Sequence, residues 1–435
     1  MKLENINRRD ALKWLTYIFI VLFNTYYMPI DGRGGMGPIR FAMFGLAMFL
    51  LPFTFRITKA LVIGVVYLVI QFMVGFYHPE YLRMSTLIFS VVLVFTFISF
   101  YNMIHVENIF TIDEFINLCK FMMKLYFYVL IAQQVLLIIG IRLFPPLNMT
   151  YILGRGFGCY SLSMEPSTFA RAMLVFYYCY VKCHEYKRGT GPLSPADLFS
   201  KEHRFITCIF LWMMTTMGSG TAFICLILFM LYFIRKTNWF YIIPILAFLY
   251  VVVLPLLHFE QLERATAISS AMTTMDQKTV EAADGSGASR ISPFLNSLNV
   301  DLSDPEVWFG HGIDWGVRHN TFLKQTGTLF DDYGLLFYIT ALLFDFVCAY
   351  RFLSLGCLFM FAGLAGGAGT NIHYVWALMI VMAFCKYFHD NYPRLKAKEE
   401  AEKREKERLE AENIQEETID SSGQPTNEKT MTNPS

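Results

Sequence analysis

"KALVIGVVYLVIQFMVGFY", Lys59 to Tyr77, decides the fold: after its opening lysine it holds no charged side chain. At ~1.5 Å of rise per residue, about 20 such residues cross the ~30 Å hydrocarbon core of a bilayer. Comparable apolar runs recur at 14–30, 39–55, 84–104, 121–144, 167–182, 205–234, 239–257, 329–351, 353–368 and 371–389. The 435-residue chain is 55% hydrophobic and 17% aromatic, and its charges crowd into connections and the C-terminal segment. The expected fold class is therefore an all-α polytopic membrane protein of about 11–12 transmembrane helices, with one broken short hairpin and one long periplasmic loop.

The net charge of +1 says little as a total, but its placement orients the chain. Lys2, Arg8, Arg9 and Lys13 precede the first run, and Lys182, Lys187, Arg188, Lys201 and Arg204 follow the sixth. Lys/Arg excess marks cytoplasmic connections, so both termini are expected inside. The first run lacks a small-residue cleavage site and reads as a helix, not a removed signal. The nine cysteines are mostly within apolar runs or near cytoplasmic ends, which implies no disulfide framework.

The 205–234 run contains "TMGSGTAF", Thr216 to Phe223. Arg235 and Lys236 should lie inside, as does Arg204, so the segment between them crosses an even number of times. Two helices sharing about 30 residues each cover only part of the bilayer core. The expectation is a short hairpin bent at Gly218-Ser219-Gly220 and ending within the protein, where irregular backbone is tolerated at membrane depth. A glycine kink in one long helix is the plainer alternative.

Residues 258–328 form a long hydrophilic stretch that the same parity places outside the cytoplasm, and connections of that length are usually functional. Within the membrane domain, taken as 1–390, this is the periplasmic loop. The remainder, 391–435, begins with "RLKAKEEAEKREKERLEAE", Arg394 to Glu412, whose alternating charges predict a solvated cytoplasmic helix. The polar residues after it are expected to be disordered.

Chemistry concentrates in two places. In "YSLSMEPSTFARA", Tyr160 to Ala172, Pro166 suits the first helical position and puts Glu165 at the cap, where the helix dipole favours its ionised form. Arg155 and Arg171 are expected to bring guanidinium groups toward that carboxylate. Arginine's planar fork suits a phosphate, so an anionic substrate is one reading and a local Glu–Arg pair the other. The second cluster spans Arg264, Arg290 and "FGHGIDWGVRHNTFLKQTGTLFDDYGLL", Phe309 to Leu336. His311, Arg318, His319 and Asn320, with Asp314, Asp331 and Asp332, could hold a sugar acceptor and transfer a proton.

His311, His319, Asp331 and Asp332 show no recognised ligand spacing, so no catalytic metal and no cofactor are expected. No phosphate-binding loop, nucleophile elbow or dinucleotide fingerprint is present, nor any nucleic-acid motif.

Taken in order, "SMEPSTFA", "TTMGSGTAF", Arg290 before "FGHGIDWG", and "RHNTFLKQTGTLFDDYGLLFY" resemble the O-antigen polymerase and O-antigen ligase superfamily of integral-membrane glycosyltransferases, Wzy-type polymerases included. The likeness covers about residues 10–390 by topology, while its motifs occupy a small part of that span. The family's serine-rich break is represented here by Thr215, Thr216 and Ser219.

The resemblance implies a polymerase of O-antigen, capsule or exopolysaccharide in the bacterial inner membrane. Its donor would be an undecaprenyl-pyrophosphate-linked oligosaccharide drawn from the bilayer, its acceptor a second such molecule. It implies Arg155, Arg264 and Arg290 as cations for the departing pyrophosphate, and His319 or Glu165 as the base, with no metal required. Arg171, His311, Arg318 and Asn320 would bind substrate. A flippase and a chain-length regulator are the expected partners, with no nucleic acid. A ligase delivering the finished glycan to a lipid or protein, and a lipid-linked oligosaccharide flippase, are the alternatives. A flippase would be expected to show repeated halves, whereas this chain gathers its polar residues in one loop.

Overall fold

The computed structural model describes residues 8–25, 37–141, 159–163, 165–189, 191–217, 219–231, 244, 301–313, 315, 327–351, 354, 356–357 and 373–422. Among these are twelve α-helices and no strand. They are α1 Arg8–Asn24, α2 Gly37–Thr54, α3 Lys59–Tyr77, α4 Met84–His105, α5 Ile112–Ile138, α6 Pro166–Arg188, α7 Pro195–Leu198, α8 Arg204–Thr216, α9 Gly220–Leu231, α10 Pro305–Phe309, α11 Gly327–Cys348 and α12 His373–Ser422. By length and composition, α3, α4 and α5 can each cross a membrane. The apolar runs at 239–257 and 353–368 fall largely outside the described residues.

On α3 the exposed side chains include Val62, Val65, Val66, Val69, Met73 and Phe76. Their spacing of three and four residues makes one apolar stripe, the surface that lipid chains would cover in a bilayer. The opposite side packs inward: Gly64 lies against Val94 and Ile98 of α4 and Phe344 of α11, and Tyr67 stacks among Phe337, Phe344 and Trp376.

The helices are stitched together at one end by charge. Arg8 pairs with Glu107 at 3.2 Å, Lys13 with Glu114 at 2.5 Å and Lys187 with Asp113 at 2.6 Å. Thr111 and Glu114 form a reciprocal capping box that starts α5 there. Lys386 of α12 donates to the carbonyls of Phe346, Val347 and Tyr350, satisfying the last turn of α11. Asn102 closes the same end, donating to Thr54 O and accepting from Thr58 Oγ1, which fixes the α2–α3 turn. The start of α1 and the passage of α12 out of the bundle therefore share this basic end. From there α12 continues as one helix through Pro393 and the charged stretch to Ser422.

α6 sits at the centre. Of its 23 residues, 17 are buried, because α5, α8, α9 and α12 surround it. Its neighbours α8 and α9 answer the hairpin question. α8 stops at Thr216, α9 starts at Gly220, and the rings of Phe210 and Phe229 stack edge to face at 5.4 Å. In one kinked helix, 19 residues at ~1.5 Å would hold those rings nearly 30 Å apart. The chain folds back instead, and Tyr177 of α6 receives both rings, Phe210 at 4.1 Å and Phe229 at 4.9 Å.

The glycines of the "FGHG" and "DDYG" motifs have a common structural cause. Gly310 (φ 70°) and Gly334 (φ 77°) mark a crossing where two backbones touch: a Cβ on Gly310 would fall 2.4 Å from Asp332 O, and one on Gly334 2.4 Å from Trp308 O. Gly312 N–H donates to Asp332 O across the crossing at 3.0 Å. Both glycines also need the left-handed φ that side chains resist.

Candidate active site at the start of the central helix

The approach to α6 is built by an unusual pair on α5. Gln133 grips Ser161 twice, accepting from its N–H and donating to its carbonyl, each at 2.8 Å. Ser161 holds a positive φ of 54°, sparsely populated for a side-chain-bearing residue, and its Oγ donates to Tyr126 O at 2.7 Å. Gln134 turns the other way. It donates to Thr216 Oγ1 at 2.9 Å and accepts from the Trp212 indole at 3.2 Å. Two adjacent amides thus tie the loop ahead of α6 to the end of α8 at the hairpin tip, bringing two of the quoted motifs to one place.

Glu165 occupies the N-cap position in extended backbone (φ −155°, ψ 162°), with Pro166 at the first helical position. Its carbonyl accepts the first helical bond, from Phe169 N–H at 3.0 Å. Its carboxylate caps nothing. It accepts instead from the Ser167 hydroxyl and stays partly exposed, while Ser167 itself is buried.

Arg171 lies deeper and is buried, its Nη1 donating to Tyr374 Oη of α12 at 2.9 Å. The expected Glu165–Arg171 pairing is not what the fold makes. Residues six apart on a helix are rotated by about 240° and displaced by ~9 Å along its axis, so the guanidinium turns toward α12. A buried arginine in an apolar bundle faces protein or a polar cavity, never lipid.

Of the second cluster, His311 is described. Its Nε2 lies 3.1 Å from a Glu306 carboxylate oxygen, and its ring stacks on Trp315 at 4.5 Å. α10 and this segment cover the end of α3: Phe309 packs on Tyr77, and Ile313 on Gly75. Asp332 is buried beside the glycine crossing. α10 packs on α11, whereas α6 packs on α5, α8, α9 and α12, so His311 and Glu165 belong to different neighbourhoods of the bundle. Arg155, Arg264, Arg290, Arg318, His319 and Asn320 lie outside the described residues.

What the sequence reading overlooked is the Gln133-Gln134 pair and Tyr374. The signal existed: two consecutive amides inside an apolar span demand internal partners, since none are available in hydrocarbon. Tyr374 carried no comparable signal, because an aromatic at a helix start is ordinary. The arrangement places a partly exposed carboxylate at the head of α6 and a buried guanidinium further along the same helix, against α12. No protein-family model, curated protein or solved structure matches the chain.

Proposed function

We propose that the protein is an integral-membrane glycosyltransferase of the inner membrane of a bacterium, polymerising undecaprenyl-pyrophosphate-linked oligosaccharide repeat units at the outer face with both termini cytoplasmic. The observation that carries this reading is the Glu165 carboxylate. It stands at a helix start without capping it, poised by Ser167 beside a hairpin that ends inside the bundle. The nature of the substrate rests on the resemblance of the motifs, not on this geometry.

In the reaction proposed, an acceptor sugar hydroxyl attacks the anomeric carbon of the donor glycan, and the bond from that carbon to the pyrophosphate oxygen breaks. The acceptor proton passes to a base, Glu165 or His319. The leaving pyrophosphate keeps the bonding electron pair and is stabilised by fixed arginines, Arg155, Arg264 and Arg290 being the candidates. Such electrostatic help is worth most where water is excluded. An apolar groove of about 710 Å³, lined by Val65, Val69, Phe72, Met73, Phe76 and Phe95, ends at Tyr77 beneath Phe309. Its lateral opening suits a polyprenyl chain entering from lipid.

The test is deletion of the gene followed by separation of surface glycans by length, with complementation by wild type and by Glu165→Gln. Glycans stopping at one repeat in the deletion and the variant are expected. Complete loss of attached glycan would indicate the ligase, and intracellular accumulation of lipid-linked units the flippase; either would overturn the polymerase.

A further inference from the structure

The basic end of the bundle carries a cluster unrelated to the α6 head. His184 lies in the last turns of α6, and Glu202 and His203 in the turn that leads into α8. One potential ligand atom from each lies within 4.8 Å of the others. A Glu202 oxygen is 3.6 Å from His184 Nδ1 and the other is 3.9 Å from His203 Nε2, while the imidazoles meet edge to face at 4.6 Å.

The geometry points to a binding site for a borderline divalent transition ion of the zinc class, held by His184, Glu202 and His203 and clasping the α6–α8 connection onto the end of α6. Ligands ~2.0–2.1 Å from tetrahedral zinc stand roughly 3.3 Å apart, so closing the site needs a small inward movement, within reach of the exposed Glu202 side chain. Two imidazoles and one carboxylate suit zinc, nickel or copper, and exclude magnesium and calcium, which favour oxygen ligands.

A further observation fits a metal. Tyr180 Oη lies 2.7 Å from His203 Nδ1, so that with Nε2 as ligand the Nδ1 hydrogen is donated to the phenol oxygen, an arrangement that orients ligating histidines. On His184 the ligating nitrogen is Nδ1, the one turned toward Glu202. The nearby cations are largely offset: Lys187 is paired with Asp113, Arg188 with Asp197, and Lys120 rests over the Tyr180 ring.

The full-length protein, purified in detergent on a tag without histidine and stripped with chelator, is titrated with zinc by calorimetry and followed by thermal unfolding. One zinc per chain with micromolar or tighter affinity is expected, together with a rise in the unfolding midpoint. Glu202→Gln changes an exposed side chain and leaves the packing in place; it and His184→Gln should each weaken zinc binding by roughly 10- to 100-fold and abolish the thermal shift. His389→Gln, on α12, should bind as wild type. Absence of micromolar zinc binding by wild type, or wild-type affinity in the His184→Gln/Glu202→Gln double variant, would overturn the site. Neither result bears on the polymerase reading, because the cluster lies at the opposite end of α6.

Discussion

At the residue scale, Glu165 has one position and one proposed role, and mutation can tell them apart. As an N-cap it would be improved by Asn or Asp, and a lost cap costs only about 1 kcal/mol. Its carboxylate makes no capping bond, so the helix should tolerate its replacement. We expect Glu165→Asn and Glu165→Gln to accumulate in the membrane at wild-type levels while long-chain glycan falls by about 100-fold, the order of loss for misplaced or missing catalytic groups. Full-length polymer from Glu165→Asn would reduce the residue to a helix start. Gln133 offers a stability test of different size. Gln133→Leu leaves both backbone groups of buried Ser161 unmet, at roughly 1–3 kcal/mol each, whereas Gln134→Leu frees only a threonine hydroxyl and an indole that are less deeply buried. The unfolding midpoint in detergent should drop several times further for Gln133→Leu, and equal drops would refute the clamp. Glu165 was legible in the sequence because Glu-Pro-Ser fixes a backbone position locally. The partner of Arg171 was not, since Tyr374 lies 203 residues away and only packing of α6 on α12 brings it near.

At the element scale, periodicity and length located most of the described helices, and the hairpin followed from a conflict between charge parity and the number of residues available. The stacking of Phe210 and Phe229 shows how the fold resolves it: α8 and α9 each bury one ring against Tyr177. The crossing of α10 with α11 was not legible as a contact. Its glycines could be seen in "FGHG" and "DDYG", but not that the two motifs require glycine for each other. This gives a graded prediction. Gly189 ends α6 with φ 69°, and a Cβ placed there would meet nothing within 4 Å, so Gly189→Ala costs only left-handed strain, about 1–2 kcal/mol. Gly310→Ala and Gly334→Ala add a clash with backbone atoms that have no rotamer to escape by. Thermal unfolding should rank both well below Gly189→Ala, and a Gly310→Ala protein as stable as Gly189→Ala would mean that the crossing yields easily.

At the scale of the whole molecule, the basic end and the α6 head are opposite poles of one bundle, and the proposed function requires them to lie on opposite sides of a membrane. The alternation of α3, α4, α5 and α6 between the poles agrees with the excess of Lys and Arg at one of them, and that excess is what orients a membrane chain. Ser200, in the exposed turn before α8, should then be cytoplasmic, and Leu302, exposed just before α10, should be periplasmic. Eight of the nine native cysteines are buried, which leaves Cys208 as the exposed thiol to remove. In a Cys208→Ser background, a membrane-impermeant maleimide applied to intact spheroplasts should label Leu302→Cys at once and reach Ser200→Cys only after the membrane is permeabilised. Neither substitution touches a hydrogen-bonding side chain or the interior, so loss of folding should not intervene. The opposite labelling pattern would place Glu165 on the cytoplasmic side, away from lipid-linked units flipped to the outer leaflet, and the polymerase reading would fall with it.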